Sequence, residues 1–259
     1  MKSSALNLNA ENNSGARANI SYGNIFDQKR YFNALNFIRE KDVLDCACGI
    51  GWGSCLLANG GAKSVVGVDL SPNAIESAER FYSANNLKFT LGTADDIDSD
   101  IKFDVITSFE TLEHVDDPIV FLKSLKARLK PGGLLLLSTP NGFCFKNDKD
   151  RPYNPYHIEE YTKDELLRLL DQSGWVVDKY MGQKPMKADS QDVINYRNFI
   201  RSYWRTNKYS DKFGFLYRIL HRLFSEISPV TTDTSPRTGV NPEPIEEGYE
   251  PAFHFIIAS

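Results

Sequence analysis

One stretch of the sequence, Val43 to Gly53, constrains the fold more than any other. An apolar strand ends in Asp45, and the turn after it carries Gly49, Gly51 and Gly53, followed by a helix-like run. Glycines let backbone amides approach a ligand closely, and the N-terminus of a helix favours negative charge. The pattern therefore predicts a nucleotide-binding turn in an open α/β sheet.

A second predicted strand, residues 64–70, supports this interpretation because it carries an acidic residue near its end. Asp69 lies 20 residues after Gly49, where a doubly wound sheet places the carboxylate that binds ribose hydroxyls. A dinucleotide fingerprint would need a third glycine, Gly-x-Gly-x-x-Gly. Counted from Gly49, that position holds Ser54, so the spacing argues against a dinucleotide.

The same stretch resembles the Asp-x-Gly-x-Gly-x-Gly motif of class I S-adenosylmethionine (SAM)-dependent methyltransferases, with Ala47 in place of the first glycine. The resemblance implies SAM as the cofactor. It also implies an α/β fold, a Rossmann-like seven-stranded methyltransferase sheet with helices on both faces and a long insertion before the last strand. The cofactor contacts that it implies around the turn are Asp45, Ala47, Cys48, Gly49, Gly51, Asp69 and Leu70.

Three further places are expected to contact SAM. Arg30-Tyr31 resembles an Arg-Tyr pair that precedes the SAM motif in bacterial methyltransferases acting on cell-surface glycans, where it helps close over the cofactor. The alternative is an ordinary helix face. Ala94 and Asp95 follow the third predicted strand, where the family binds the amino edge of adenine. The alternative is that they belong to a solvated acidic loop. Phe109 follows the fourth strand.

Acidic and imidazole side chains cluster after that fourth strand, residues 103–108, where an open α/β sheet places its ligands. Glu110, Glu113 and His114, with His157 later in the chain, resemble a divalent-metal site of small-RNA 2'-O-methyltransferases and ubiquinone-pathway O-methyltransferases. The resemblance implies Mg²⁺ or Mn²⁺ bound by these four residues, lowering the pKa of an acceptor hydroxyl.

Two alternatives to a metal stay open. His114, beside Glu113, is a candidate catalytic residue as a general base without a metal, because histidine titrates near neutral pH. The Glu-His pair is otherwise a structural element that orders the start of the next helix, as in methyltransferases that use no metal. His157 then only braces its own loop.

The predicted organisation has four parts: a flexible N-terminus (1–21), a SAM-binding core (22–182), an insertion (183–252) and the last core strand (253–259). Predicted strands at 175–181 and 253–258 form the antiparallel hairpin that ends the family's fold, and a long insertion there is usually functional. Within it, residues 213–227 predict an amphipathic helix packed on its own domain. A substrate lid, an oligomer contact and a peripheral membrane contact are the alternatives.

Composition narrows the setting. A chain of 259 residues with 41% hydrophobic residues can bury one large core. A net charge of -4 and a pI near 5.7 argue against nucleic acid as a partner. We expect a cytoplasmic protein, because the sequence has neither a secretion signal nor a run long enough for a transmembrane segment. The cysteines lack paired zinc spacing, so we expect reduced thiols, with zinc as the alternative: Cys46, Cys48, Cys55 and Cys144.

The full set of motifs, which includes Ser138 to Asn141 and Asn154 to Thr162, most resembles bacterial methyltransferases of cell-surface polysaccharides, lipopolysaccharide or nucleotide sugars. It implies a SAM-dependent O-methyltransferase acting on a hydroxyl of a sugar, glycan or polar natural product. The alternatives are an N-methyltransferase of an amino sugar, an RNA 2'-O-methyltransferase, which the acidic pI disfavours, and a non-catalytic SAM-binding protein.

Overall fold

The computed structural model describes residues 25–146, 151–187, 190–207, 242–245, 247 and 249–259. The N-terminus at 1–21 and the predicted helix at 213–227 lie outside these ranges. The chain has two compact units, of which the first ends at Thr107 and the second begins at Ser108. None of the helices in the described ranges has the length and apolar character needed to cross a bilayer.

Seven helices and eight strands make up the described chain. The helices are α1 Ile25–Ala34, α2 Trp52–Asn59, α3 Pro72–Phe81, α4 Pro118–Ala127, α5 Gly142–Phe145, α6 Lys163–Gln172 and α7 Gln191–Asn207. The strands are β1 Asp42–Cys46, β2 Ser64–Asp69, β3 Leu87–Leu91, β4 Phe103–Phe109, β5 Leu129–Pro140, β6 Val177–Lys187, β7 Glu243–Pro244 and β8 Tyr249–Ala258.

The first unit contains a parallel sheet in the order β3-β2-β1-β4. Its register places Asp45 of β1 between Gly67 of β2 and Thr107 of β4. Leu44 is completely buried, as expected for a central strand of a parallel sheet that is covered on both faces. Because parallel strands end at one edge, the residues that follow β1 and β2 are brought together there. This confirms the predicted α/β Rossmann-like fold.

The second unit contains strands in the order β5-β8-β6-β7. The predicted antiparallel pairing of the sixth strand with the last is present between β6 and β8, and both strands are longer than predicted. One strand is additional to the predicted seven, because Glu243–Pro244 forms a two-residue strand beside β6.

Local sequence signals explain most helix boundaries. The sequence predicts a helix over residues 163–172, and α6 has these bounds. At its N-terminus, the backbone amide and the hydroxyl of Thr162 both donate to Oε2 of Glu165 at 2.8 Å, as in a capping box. The apolar pattern of the sequence predicts a helix over residues 26–39, but α1 ends at Ala34. The amide side chain of Asn36 donates to the carbonyl oxygen of Asn33 at 3.0 Å, a local bond that competes with continuation of the helix.

A completely buried histidine, His254, connects three segments of the second unit. Its Nε2 lies 2.8 Å from the carbonyl oxygen of Tyr161, and its Nδ1 lies 2.7 Å from the hydroxyl of Tyr180. A carbonyl only accepts, so Nε2 carries the hydrogen and Nδ1 accepts from the tyrosine hydroxyl. Burial without a compensating anion lowers the pKa of His254 to about 4.

We therefore expect His254 to make folding sensitive to acid. The pKa is about 4 in the folded protein against 6.5 for an ordinary histidine, so the stabilisation is complete above pH 6.5 and is lost as the pH falls towards 4. The loss is about 1.4 kcal/mol per pH unit in that window. Urea unfolding of the wild type and of His254→Gln between pH 4 and 6.5 measures how much of the pH dependence of the free energy of unfolding is due to the imidazole ring. An NMR titration of the native protein that places the pKa of His254 near 6.5 would contradict the expectation.

Candidate active site

The predicted SAM turn adopts left-handed backbone at three successive motif positions. The φ angles are 61° at Ala47, 55° at Gly49 and 81° at Gly51. A Cβ at Gly51 would lie 2.5 Å from the ring of Phe89, whereas a Cβ at Gly49 would have no atom within 4 Å. Gly51 is thus required for packing, and Gly49 borders open space where a ligand can approach its backbone. The φ angle of Ala47 explains why the family motif has glycine at this position.

Asp69 is bound by the backbone of the turn. Its Oδ2 accepts from the amide of Gly49 at 2.9 Å, and its Oδ1 accepts from the amide of Ser71 at 2.8 Å. The carboxylate is half-buried, and the neighbouring Leu70 is 69% exposed. These two bonds fix the carboxylate beside the glycine turn, where ribose hydroxyls are expected, and leave an apolar side chain on the surface next to it.

Asp45 is completely buried and is bound by three hydroxyl groups. It accepts from Ser54 at 2.6 Å, from Thr107 at 2.7 Å, and from Tyr31 at 3.1 and 3.2 Å. Burial raises the pKa of this carboxyl, and the three hydroxyls oppose the shift. Asp45 therefore stabilises the glycine turn through these buried hydrogen bonds. The sequence did not reveal Ser54 or Thr107 as its partners.

The predicted Arg-Tyr pair helps to stabilise the same turn. Arg30 has no exposed surface and forms an ion pair with Asp27 one helical turn earlier. The ring of Tyr31 lies so close to Gly53 that a Cβ there would be 2.1 Å from the ring. This explains the third glycine of the turn and connects α1 to it. Contact of this pair with the cofactor stays a prediction.

The two aspartates of the loop after β3 have different environments. Asp96 accepts from the backbone amide and the hydroxyl of Thr93 at 2.7 and 2.9 Å, which closes a capping box. Ala94 is buried, whereas the side chain of Asp95 is exposed. The structure thus leaves Asp95 on the surface of this loop, and its expected reading of adenine stays a prediction.

Two other predicted cofactor contacts are buried. The amide of Cys48 donates to the carbonyl of Val68 at 2.9 Å, and Phe109 packs on Phe255 in the second unit, with ring centroids 5.9 Å apart. The four cysteines are free thiols; Cys55 is partly exposed and the others are buried.

In the second unit, three of the four predicted metal ligands meet. Glu113, His114 and His157 each offer a ligand atom, and these atoms lie within 4.8 Å of one another. Glu110 is not a member of this group; its carboxylate accepts from the hydroxyl of Ser138 at 3.0 Å, and its φ angle is 52°. We refer to Glu113, His114 and His157 as the triad.

Backbone pairing brings the distant histidine to the other two residues. The carbonyl of Glu113 accepts from the amide of Ile158 at 2.7 Å, which places His157 beside a 3₁₀ turn at Leu112–His114. The imidazole rings of His114 and His157 then lie 4.8 Å apart in an edge-to-face arrangement. The triad is therefore fixed by main-chain bonds as well as by its own side chains.

Each triad residue is oriented by a further group. The Nδ1 of His114 lies 2.9 Å from the carbonyl of Tyr156, so Nδ1 carries the hydrogen and Nε2 the lone pair. Nδ1 of His157 lies 2.5 Å from Oε1 of Glu160, a hydrogen bond that orients the imidazole ring. The buried Glu113 accepts from Thr139 at 2.9 Å. Such outer partners typically orient metal ligands, and Glu160 is one that the sequence did not reveal, although it lies only three residues after His157.

The electrostatics of the triad suit a cation. Burial, and next the charge of Glu110, raise the pKa of Glu113 well above its usual value. Burial lowers the pKa of His157 to about 4 and raises that of Glu160 to about 8. Oε2 of Glu160 is buried with no hydrogen-bond partner in the described chain. Buried carboxylates next to neutral imidazoles fit a divalent ion.

Comparison with known proteins identifies the family of the chain. The model of the family described as "Methyltransferase domain" matches residues 23–180. The chain belongs to this family. A ubiquinone biosynthesis O-methyltransferase from Haemophilus ducreyi is 34% identical over 192 residues, covering 68% of this chain and 77% of that protein.

Two other matches show how far the similarity extends. A Mycolicibacterium smegmatis protein named probable S-adenosylmethionine-dependent methyltransferase is 32% identical over 143 residues. The aligned part covers 55% of this chain and 54% of that protein. A crystal structure of an S-adenosylmethionine dependent methyltransferase from Mesorhizobium loti has a TM-score of 0.54 at 16% identity, covering 90% of this chain and 99% of that one. The latter supports the fold.

Proposed function

We propose that the protein is a SAM-dependent O-methyltransferase whose triad binds Mg²⁺ or Mn²⁺ together with an acceptor hydroxyl. The observation that carries the proposal is the convergence of Glu113, His114 and His157 within 4.8 Å. Membership of the methyltransferase domain family and the 34% identical O-methyltransferase support it. The acceptor that we infer is a polar molecule with vicinal hydroxyls, such as a sugar or glycan, because two adjacent oxygens can share one ion.

The first unit provides the residues for the methyl donor. Asp69, fixed by the amides of Gly49 and Ser71, would accept from the ribose hydroxyls, and the open space at Gly49 would admit the methionine portion of SAM. SAM supplies a methyl group on a positively charged sulfur. The buried Asp45 keeps the turn in place through its three hydroxyl partners.

The second unit provides the residues for the acceptor. His114 and His157 would present Nε2, and Glu113 a carboxylate oxygen held by Thr139. A bound divalent ion would lower the pKa of an acceptor hydroxyl and orient its oxygen. The bond from His114 to the Tyr156 carbonyl and the hydrogen bond between His157 and Glu160 orient both imidazoles, so they could receive the ion without rotation of the rings.

One alternative shares an observation with this proposal. The bond from Nδ1 of His114 to the Tyr156 carbonyl leaves the lone pair on Nε2, which suits a general base as well as a metal ligand. His114 would then remove the hydroxyl proton alone. This mechanism needs no metal, so a chelator separates the two.

A labelling experiment tests the proposed function. The protein is incubated with SAM carrying a ¹³C methyl group and a panel of sugars with vicinal hydroxyls, with amino sugars as the matched alternative acceptors. We expect methoxy products, loss of activity with EDTA and recovery with Mg²⁺ or Mn²⁺. N-methyl products would contradict O-methylation, and methoxy formation that EDTA does not change would favour His114 as a lone base.

A further inference from the structure

A lysine in the second unit has an unusual conformation and environment. Lys184 lies in β6 with a φ angle of 53°, a left-handed conformation that costs free energy in a residue with a Cβ and often marks a functional position. Its side chain is half-buried, and its Nζ lies 3.9 Å from the ring centroid of Tyr196 in α7. In the described part of the chain, no carboxylate forms an ion pair with it.

A second cation lies in the same region. Arg197 of α7 donates from Nη2 to the carbonyl of Lys146 at 3.2 Å, and within the described ranges it has no carboxylate partner. Both Arg197 and Lys184 are near enough to the thiol of Cys144 to influence its ionisation. That thiol does not neutralise them, because burial raises its pKa to about 12.

The acidic side chain in this region already has another partner. Glu250 also lies within electrostatic reach of Cys144, and its Oε2 accepts from the amide of Asn141 at 3.0 Å. Neither cation forms an ion pair with Glu250 or with another carboxylate in the described part of the chain. A half-buried lysine over an aromatic ring is favourable for a cation, but it leaves the donors of Nζ available to an anion.

Aromatic rings border the two cations. Tyr196 packs edge-to-face against Phe145 of α5 with centroids 5.7 Å apart, and Phe145 packs against Phe253 of β8 at 5.4 Å. Such rings suit the apolar body of a ligand whose acidic group lies on the cations. α5 begins right after Asn141, at the end of β5, and the same strand end supplies Thr139 to Glu113 of the triad.

We propose that Lys184 and Arg197 form an anion subsite that binds a carboxylate or phosphate group of the methyl acceptor. The inference rests on the proposed function and makes it more specific: the acceptor is an acidic molecule with vicinal hydroxyls. Arginine provides a planar fork of donors and lysine a compact charge, and both groups bind carboxylates and phosphates.

Binding of simple anions tests the subsite without any methyl transfer. Benzoate and inorganic phosphate are titrated into the full chain saturated with S-adenosylhomocysteine, at constant ionic strength, while amide NMR signals of β6 and α7 are followed. We expect saturable binding of at least one anion, weakened about tenfold or more in Lys184→Met and in Arg197→Gln. Stronger binding of benzoate indicates a carboxylate, and stronger binding of phosphate a phosphate group.

The matched control is Lys187→Met, which removes an exposed lysine at the end of the same strand and should bind as the wild type does. Because Lys184→Met changes a half-buried side chain, Arg197→Gln provides an independent test on another element. Absence of saturable binding in the wild type overturns the proposal, as does binding that both variants retain. A neutral acceptor methylated with the same kcat/KM as its acidic analogue overturns the role in acceptor recognition. If the anions bind as expected but no hydroxyl is methylated, only the proposed function fails.

Discussion

Replacing His157 by alanine is expected to weaken binding of Mn²⁺ by about 100-fold or more, and to reduce methyl transfer in proportion. The change removes one of three ligand atoms that lie within 4.8 Å, and it also removes the partner of Glu160. Calorimetric titration of Mn²⁺ and Mg²⁺ into protein saturated with S-adenosylhomocysteine measures the affinity. His114→Ala is expected to have the same effect, because its Nε2 is a second ligand.

The triad also permits a graded test of the metal. Glu160→Gln keeps both imidazoles but removes the carboxylate behind His157, so we expect an intermediate loss of about tenfold. Glu159→Gln is the matched control, since Glu159 is the preceding residue, is partly exposed and pairs with Lys146 at 2.8 Å. One-site binding that persists in His157→Ala, or no binding in the wild type, would rule out the triad as a metal site and favour His114 as the base.

Replacing Asp69 by alanine is expected to weaken binding of S-adenosylhomocysteine by about 10- to 100-fold. The variant loses the carboxylate that would accept from the ribose. It also releases the amide of Gly49, which donates to Oδ2 at 2.9 Å and helps to fix the turn. Asp69→Asn keeps one oxygen and should fall between the wild type and the alanine variant.

Calorimetry or equilibrium dialysis measures this affinity, and NAD is the comparison ligand. Glu79→Gln is the matched control, since Glu79 is an exposed carboxylate on α3, the helix that follows Asp69. An unchanged affinity in Asp69→Ala would contradict the assignment of this carboxylate to the ribose. If the wild type binds NAD, the inference from the glycine spacing that the turn does not bind a dinucleotide is wrong.

The sequence predicted the first unit well because its signals are local. A strand, a glycine turn and a second strand with an acid occur within residues 43–69, and parallel pairing brings their ends to one edge. The roles within the turn were harder to predict. Asp45 matched a motif position that contacts the cofactor. In the structure it is completely buried and accepts hydrogen bonds from the hydroxyls of Ser54 and Thr107. Thr107 becomes a neighbour of Asp45 only when β1 pairs with β4, whereas Ser54 is placed there by α2.

In the second unit, the types of residue were predictable, and their arrangement was not. His157 was a candidate ligand from its resemblance to a family pattern, but its place beside His114 depends on a backbone bond between Ile158 and Glu113. Glu110 matched the same pattern and lies outside the triad. The anion subsite has no sequence signature, because the conformation of Lys184 and its contact with Tyr196 follow from tertiary packing.

The position of β8 between β5 and β6 has a consequence for how such a protein diversifies. Leu137 pairs with Ile256 and Met181 with Phe255, so residues 188–248, which include α7 and β7, connect two adjacent strands and close a loop of chain between them. Doubling the length of such a loop costs only about 0.6 kcal/mol of closure entropy. New acceptor-binding elements can therefore be inserted there at little thermodynamic cost, while the donor-binding turn in the first unit evolves under separate constraints.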